Sequence, residues 1–336
     1  MTFGRSYRVG AFFVAVALCA IGTWTVVRTV TTRHSRALQA QISEIRRRGE
    51  PIEPKDVVAS CPISRTEHER TTEWMRLSTL ADATGKFTDD AKPLPFVGEL
   101  EVKDDALDNP MAHQLRDKAH AFLRKHQAPI NLAHELAKNP GPVAWPYRFE
   151  AGFNSEFPWV QALRALNRLL AIECRLRAVE GDIEGCQASW HTMLALCESL
   201  RPRPWGVSCG VVELMRQSML QLAIEQLEFQ INHHSLSDEQ LRKIQTRLAA
   251  IRPEDDIPRV LFGERMIGLV AFQHPDQLFE SDTPIQTPQA NLAVNARDCL
   301  FFFQVMRDLL AACHLPRMPA RGEEAGRCRT RKSEAT

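Results

Sequence analysis

The chain has 336 residues, 42 Lys and Arg against 41 Asp and Glu, and a formal net charge of +1. A balance this close to neutral gives no electrostatic footing for a polyanion, so no nucleic acid is expected as a partner. Gly (16) and Tyr (2) are scarce, helix-favouring Leu, Ala, Arg, Gln and Glu are abundant, and no alternating β-branched run is long enough for a sheet, so the expected fold class is all-α.

Residues 1–8 are a short basic N-terminus with Arg5 and Arg8. Residues 9–27, VGAFFVAVALCAIGTWTVV, carry no charge. As a helix they would extend about 28 Å, close to the ~30 Å hydrocarbon core of a bilayer. Trp24 lies near one end, where an indole suits the interface. The stretch is expected to be a transmembrane helix held by membrane lipid. Two other readings use the same residues. A cleaved signal peptide would end near Ala20-Ile21-Gly22, yet apolar residues continue to Val27. A lipoprotein would use Cys19, yet Leu18 is too large for the position before a lipidated cysteine. Arg28, Arg33, Arg36 and Arg46-Arg47-Arg48 follow the span. That excess leans toward a cytoplasmic body on a bacterial cell membrane, although a short basic N-terminus also favours the inside.

Residues 28–60 read as a stalk helix and linker. Leu38, Ile42 and Ile45 form one narrow stripe, Gly49 and Pro51 end the helix, and Pro51 and Pro54 make an extended link. In the N-terminal helical part, residues 61–143, Ser64 and Glu67 have capping-box spacing. Trp74, Leu77 and Leu80 form the buried side of that helix, and Gly85 closes it before a loop to about Val102. Asn109-Pro110 starts a helix with Met111, Leu115, Ala119 and Phe122 on one face. A short helix over 130–138 ends at Asn139-Pro140-Gly141-Pro142. The helix-hairpin domain, 144–314, opens with an irregular aromatic stretch, AWPYRFEAGFNSEF, expected to lie on the helices. Helices follow over 158–180, 183–200, 207–231, from Ser237 to Ile251, 258–273 and 291–314. Their inward residues include Leu163, Leu166, Leu170, Leu176, Trp190, Leu194, Cys197, Ile244, Leu248, Leu300, Phe303, Met306 and Leu310. Ser237 and Gln240 make a second capping box, and Pro253 stops the helix behind it. A proline-bearing loop spans 275–289, and the basic tail 315–336 is expected to be disordered. The architecture predicted is a transmembrane helix followed by an array of antiparallel helix pairs.

Ala178-Val-Glu-Gly181-Asp182-Ile-Glu-Gly-Cys186 resembles the turn of a tetratricopeptide repeat. There a small residue, Gly-Asp and another small residue let two helices pack closely. Only one convincing copy is present, and about three repeats are needed for a solenoid. The chain over 1–315 also resembles a set of uncharacterised bacterial single-pass membrane proteins. The resemblance rests on Ile45-Arg46-Arg47-Arg48-Gly49-Glu50-Pro51, Arg148-Phe149, Leu163-Arg164-Ala165-Leu166, Gly181-Asp182 and Phe262-Gly263-Glu264-Arg265. The segment 67–74 departs from that pattern. The resemblance implies the architecture and is silent on chemistry.

Gly206-Val207-Ser208-Cys209-Gly210 matches the G-x-S-x-G of serine hydrolases. That motif acts only on a strained strand-to-helix turn, and the residues before it do not read as a strand. Two glycines allowing close helix packing are the plainer reading. His134-Glu135-Leu-Ala-Lys138 begins like H-E-x-x-H but has Lys138 in place of the second ligand. His113 and His120 sit two turns apart, too far to share an ion. His126, His233 and His234 read as solvated helix ends, where an imidazolium suits the dipole. Glu254-Asp255-Asp256 reads as helix-start charge. Trp145, Trp159 and Trp205 are core anchors or the lining of a peptide groove. The 9 cysteines include Cys19 in the apolar run, then Cys61, Cys174, Cys186, Cys197, Cys209, Cys299, Cys313 and Cys328, with no C-x-x-C pair. They read as small hydrophobes, with one or two disulfides if the body is exported. No catalytic, cofactor-binding or metal residue is assigned. The expectation is a membrane-anchored protein-interaction or scaffold module. The alternative is a hydrolase using Ser208.

Overall fold

The computed structural model describes residues 3–60, 63–82, 92–97, 113–203, 206–251, 256–273 and 290–313. Within these, the side chains of 3–20, 27, 31, 58–60, 113, 153 and 290–296 lie outside the description. The described residues form helices joined by turns and loops, with no strand, so the all-α expectation stands. The helices are α1 (Phe3–Arg47), α2 (Pro54–Ser60), α3 (Arg65–Asp82), α4 (His113–Lys125), α5 (Gln127–Leu136), α6 (Pro158–Val179), α7 (Ile183–Ser199), α8 (Gly210–His233), α9 (Asp238–Ala249), α10 (Ile257–Gln273) and α11 (Ala290–Cys313). A 3₁₀ turn, Phe149–Asn154, precedes α6.

The stretch 9–27 lies inside α1, which runs unbroken for 45 residues, so span and stalk are one rod roughly 68 Å long. Among the described residues no helix is long and apolar enough to cross a membrane. Most of the expected span, 9–20, falls where side chains are outside the description, so the transmembrane expectation receives no support here. Where the rod is described, Ile21, Trp24, Val26 and Val30 are exposed. Thr25, Thr29 and Thr32 donate their hydroxyls to carbonyls of the preceding turn. Arg28 stands over the Trp24 ring at 5.0 Å. At the other end, the predicted stripe becomes a packing face. Ile42 and Ile45 are buried with Ile52, Leu269, Cys299 and Phe303, and Leu38 lies against them. Burying such side chains stabilises by roughly 1.5–3 kcal/mol each.

The body is centred on α6, α7 and α8, which pack against one another. Helices α3, α4 and α5 cover α6, α10 packs on the 3₁₀ turn and on α8, and α11 bridges α10 to α1. Both predicted capping boxes are present. Ser64 and Glu67 exchange bonds at the start of α3, and Ser237 and Gln240 do so at α9. The α6–α7 turn also has the expected chemistry. Gly181 takes φ +77°, where L side chains are strained. The Asp182 carboxylate then accepts from Gly185 N at 2.9 Å to cap α7. Ala178 and Cys186, the small residues flanking the turn, are buried.

Several boundaries differ from the sequence reading. Residues 54–60 are helical, because Pro54 fits a first helical position and the Asp56 carboxylate accepts from Ile52 N and Glu53 N. Helix α5 begins at Gln127, with Pro129 in its first turn, where a missing N–H costs nothing. Residues 207–209 are not helical, so α8 starts at Gly210. Leu80 and Leu300 are half-buried, and their neighbours Ala81 and Cys299 take the core positions. The expected N-terminus of α4 at Asn109-Pro110, Met111, the 275–289 loop, Pro253 and the tail 315–336 lie outside the described residues.

A buried polar knot ties α5, α6 and α7 together. Glu173 Oε2 accepts from His134 Nε2 and Ser189 Oγ, each at 2.8 Å, and Arg177 donates to Oε1 at 2.8 Å. His134 Nδ1 lies 2.8 Å from the Thr192 hydroxyl. Burial pushes the Glu173 carboxyl up, but the bond and charge of His134, with Arg177 and Ser189, hold it below the ordinary 4.5. A carboxylate so depressed adds stability that is present above the unfolded value and lost as pH falls through the folded one. The thermal midpoint is therefore expected to drop below pH 4.5. Glu173→Gln is expected to flatten that part of the profile, read by circular dichroism melts across the acidic range.

Candidate functional site: an aromatic groove beside Ser208

The stretch 144–157 returns to the body as a stack of rings. Trp145 lies parallel to Trp159 at 4.5 Å between centroids, with an interplanar angle of 7°. Tyr147 stacks on Phe149 at 5.1 Å and meets Trp159 edge-on at 5.6 Å. Trp145 Nε1 donates to Ser199 O at 2.7 Å, which fixes the ring against the end of α7. Ala144 N donates to the Thr71 hydroxyl of α3 at 3.2 Å. Aromatic pairs of this kind contribute about 0.5–1.5 kcal/mol beyond the area they bury.

These rings form one wall of a groove of about 470 Å³. Val143, Trp145, Tyr147 and Phe149 line that wall, Pro54, Val57 and Ile63 of the linker line another, and Pro202, Gly206 and Val207 line the floor. Arg201, Arg203 and Glu150 sit on the lining as its charged members. Both arginines are held from behind. Arg201 bonds Asp256 at 2.9 Å, and Arg203 bonds Glu67 at 3.1 Å. Backbone and hydroxyl bonds from Ser64, with the Arg203 charge, keep the Glu67 carboxyl below its ordinary value.

Ser208 lies under this groove and is fully buried. Its hydroxyl is 3.1 Å from the Tyr147 hydroxyl, and its N–H donates to Arg259 O at 3.4 Å. Burial pushes the Tyr147 phenol well up, and it pushes the Cys209 thiol up to about 11. Residues 201–203 and 206–209, the described residues before α8, include no strand, so among them the strand that a nucleophile elbow needs is not seen. Gly210 N donates to Glu264 Oε1 at 2.5 Å, and the close backbone contact falls on Gly263, outside the motif, against which Ser208 O rests.

The remaining candidates separate. His134 is committed to the Glu173 knot, and His120 Nε2 bonds Glu180 at 2.6 Å. The side chain of His113 lies outside the described residues. His126 was expected as a solvated imidazolium. It instead packs edge-on against Phe122 at 4.6 Å, and burial, then the Lys125 charge, pushes its pKa down, which disfavours the cation. His233 Nδ1 donates to Phe229 O at 2.9 Å at the end of α8, and His234 is half-buried. Among the described residues no three His, Cys, Asp or Glu side chains could share a metal ion. Of the helix-start acids, Asp256 stands where expected, just before α10, while Glu254 and Asp255 lie outside the described residues. Of the tryptophans, Trp145 lines the groove, Trp159 backs it, and Trp205 is outside the described residues.

The sequence reading missed what surrounds the groove. Asp256 is fully buried and gathers Arg201 at 2.9 Å, Arg216 at 3.4 Å and Arg259 at 3.6 Å. Arg216, itself buried, also forks onto Glu213 at 2.7 and 2.8 Å. The one available signal was an arginine at position 216 on the same helical face as Val212, Met219 and Ala223. Two of the motifs behind the resemblance, 45–51 and 262–265, meet. Arg265 donates to Glu50 and to Pro51 O, each at 2.7 Å, so the end of α1 is fastened to α10. Comparison with models of known protein families, with curated proteins and with solved structures finds no match for this chain.

Proposed function

We propose that the protein is a membrane-anchored helical interaction module. Residues 9–27 of α1 cross the bilayer, and the body, an irregular array of helix pairs, holds an extended apolar segment of a partner protein in the groove beside Ser208. The groove carries this reading. Its walls are aromatic faces and proline rings, which suit an extended chain bearing apolar or proline side chains at alternate positions. Its size fits a few residues rather than a folded surface. The exposed Ile21, Trp24, Val26 and Val30, the internally bonded Thr25 and Thr29, and Arg28 over Trp24 support the anchor, since hydroxyls and a basic residue so arranged suit the edge of a bilayer. The family resemblance of the motifs that fasten α1 to α10 is consistent with the same arrangement.

Two measurements test the two halves separately. Full-length protein is expected to stay with membranes after alkaline carbonate washing, and release into the soluble fraction would overturn the anchor. Selection of peptides from a random library on the full-length protein is expected to converge on short apolar, proline-bearing sequences, and Val207→Glu is expected to weaken their binding at least tenfold. Selected peptides that bind the variant unchanged would overturn the groove.

A further inference from the structure

The α6–α7 hairpin turns at Gly181-Asp182, which lays the last turns of α6 beside the first turns of α7. Cys174 and Cys186 meet there. Their sulfurs lie 3.3 Å apart, both side chains are buried, and both thiols are free. Cys174 Sγ also donates to Cys186 O at 3.4 Å, which holds it toward its partner. Cys197, Cys209 and Cys299 are buried too, and Cys313 is exposed, but no other sulfur–sulfur contact occurs among the described residues. A disulfide needs its sulfurs at about 2.05 Å, so closure asks for a shift of roughly 1.2 Å, within the reach of side-chain rotation and a small slide of one helix.

We propose that Cys174 and Cys186 are a redox modification site, oxidised to an intramolecular disulfide by a low-molecular-weight disulfide such as oxidised glutathione. One thiol loses its proton, and its thiolate attacks a glutathione sulfur. A protein–glutathione disulfide forms and one glutathione thiolate leaves. The second protein thiolate then attacks the protein sulfur of that mixed disulfide, closing the S–S bond and releasing the second glutathione thiolate. The two protons from the cysteines end on the two released glutathiones. The pair loses two electrons and the glutathione disulfide gains them. The mutual contact, together with burial, pushes the Cys174 thiol up, so attack waits for local opening of the hairpin and is slow in the native state. Once closed, the bond pins α6 to α7 next to the Glu173–Ser189 contact, the polar tie between the same two helices. The dithiol persists in a reducing compartment and the disulfide in an oxidising one.

The test uses full-length protein in detergent, both incubated natively and refolded from the reduced, denatured chain in a glutathione buffer. Free thiols are then trapped by alkylation, and the peptides are mapped by mass spectrometry. The expected product is a peptide pair joined at 174 and 186, two hydrogen atoms lighter than the reduced pair, appearing slowly in the native arm and as the dominant pairing after refolding. The oxidised form is expected to melt a few degrees higher than the reduced form. Cys174→Ser is expected to abolish both the link and the shift, while Cys197→Ser leaves them intact. Refolded protein in which Cys174 and Cys186 are both alkylated, or in which either pairs mainly with another cysteine, would overturn the assignment.

Discussion

Asp256→Ala is expected to destabilise the body by about 3 kcal/mol, the lower end of what breaking a buried ion pair costs, because Arg216 keeps its second partner, Glu213. Three guanidinium groups converge on this carboxylate. Arg201 and Arg259 are about 30% exposed and can turn toward water, but Arg216 is only 2% exposed and cannot, so it is left with Glu213 alone. The same substitution removes the acidic residue at the start of α10, whose backbone carbonyl accepts from Arg259 N and Val260 N. Thermal melts should show a midpoint lower by about 10 °C. A double variant, Asp256→Ala with Arg216→Met, is expected to recover part of the loss, because the buried cation that Asp256 helps to balance is removed with it. Strictly additive effects would contradict the pairing.

The second large effect belongs to Gly263. A Cβ there would sit 1.6 Å from Ser208 O and 2.8 Å from its carbonyl carbon. Both contacts are with backbone, which cannot swing aside as a side chain can. Gly263→Ala is therefore expected to force α10 away from the loop preceding α8, at about 3 kcal/mol, the upper end of what an added methyl costs in a packed core. The floor of the groove moves with it, because Val207 neighbours Ser208. Tryptophan fluorescence from the Trp145–Trp159 stack should shift along with the loss of stability. Gly206→Ala gives the contrast. Among the described residues its Cβ would meet only Arg203, no nearer than 3.2 Å, and a much smaller change is expected.

Local rules made most helices legible. The caps at Ser64 and Ser237, the Gly181 turn and the bounds of α10 and α11 all lie where short-range chemistry decides, and the structure places them within a residue or two. Errors fall where tertiary contact decides. Pro51 and Pro54 read as an extended link, yet Asp56 nucleates a short helix that becomes a wall of the groove. The loop after Gly85 reads as connection only, yet Leu94 is fully buried, and Phe96 takes a positive φ of 67° while lying 5.6 Å from Arg175. A non-glycine residue in that region is held by its surroundings, which no local pattern announces.

The groove was half legible. The aromatic richness of 144–157 and the tryptophans were visible in order, and a peptide groove was one of two readings for them. Their pairing was not visible, because Trp145 reaches Ser199 and Tyr147 reaches Ser208 across more than fifty positions of sequence. The same long-range bond explains Ser208. Its motif matches a hydrolase signature letter by letter, but the hydroxyl is taken up by Tyr147 beneath the groove, and the described residues before it are not a strand. A motif of five letters says which residues are adjacent; the element feeding it says what they do.

Amide hydrogen exchange on the full-length protein in detergent, with and without a saturating library-selected peptide, tests the interaction reading most directly. Slowed exchange is expected to be confined to 143–149 and 206–209, with smaller changes along 54–57 and none in α9. Protection centred on another surface, or no change across those segments at saturation, would contradict it.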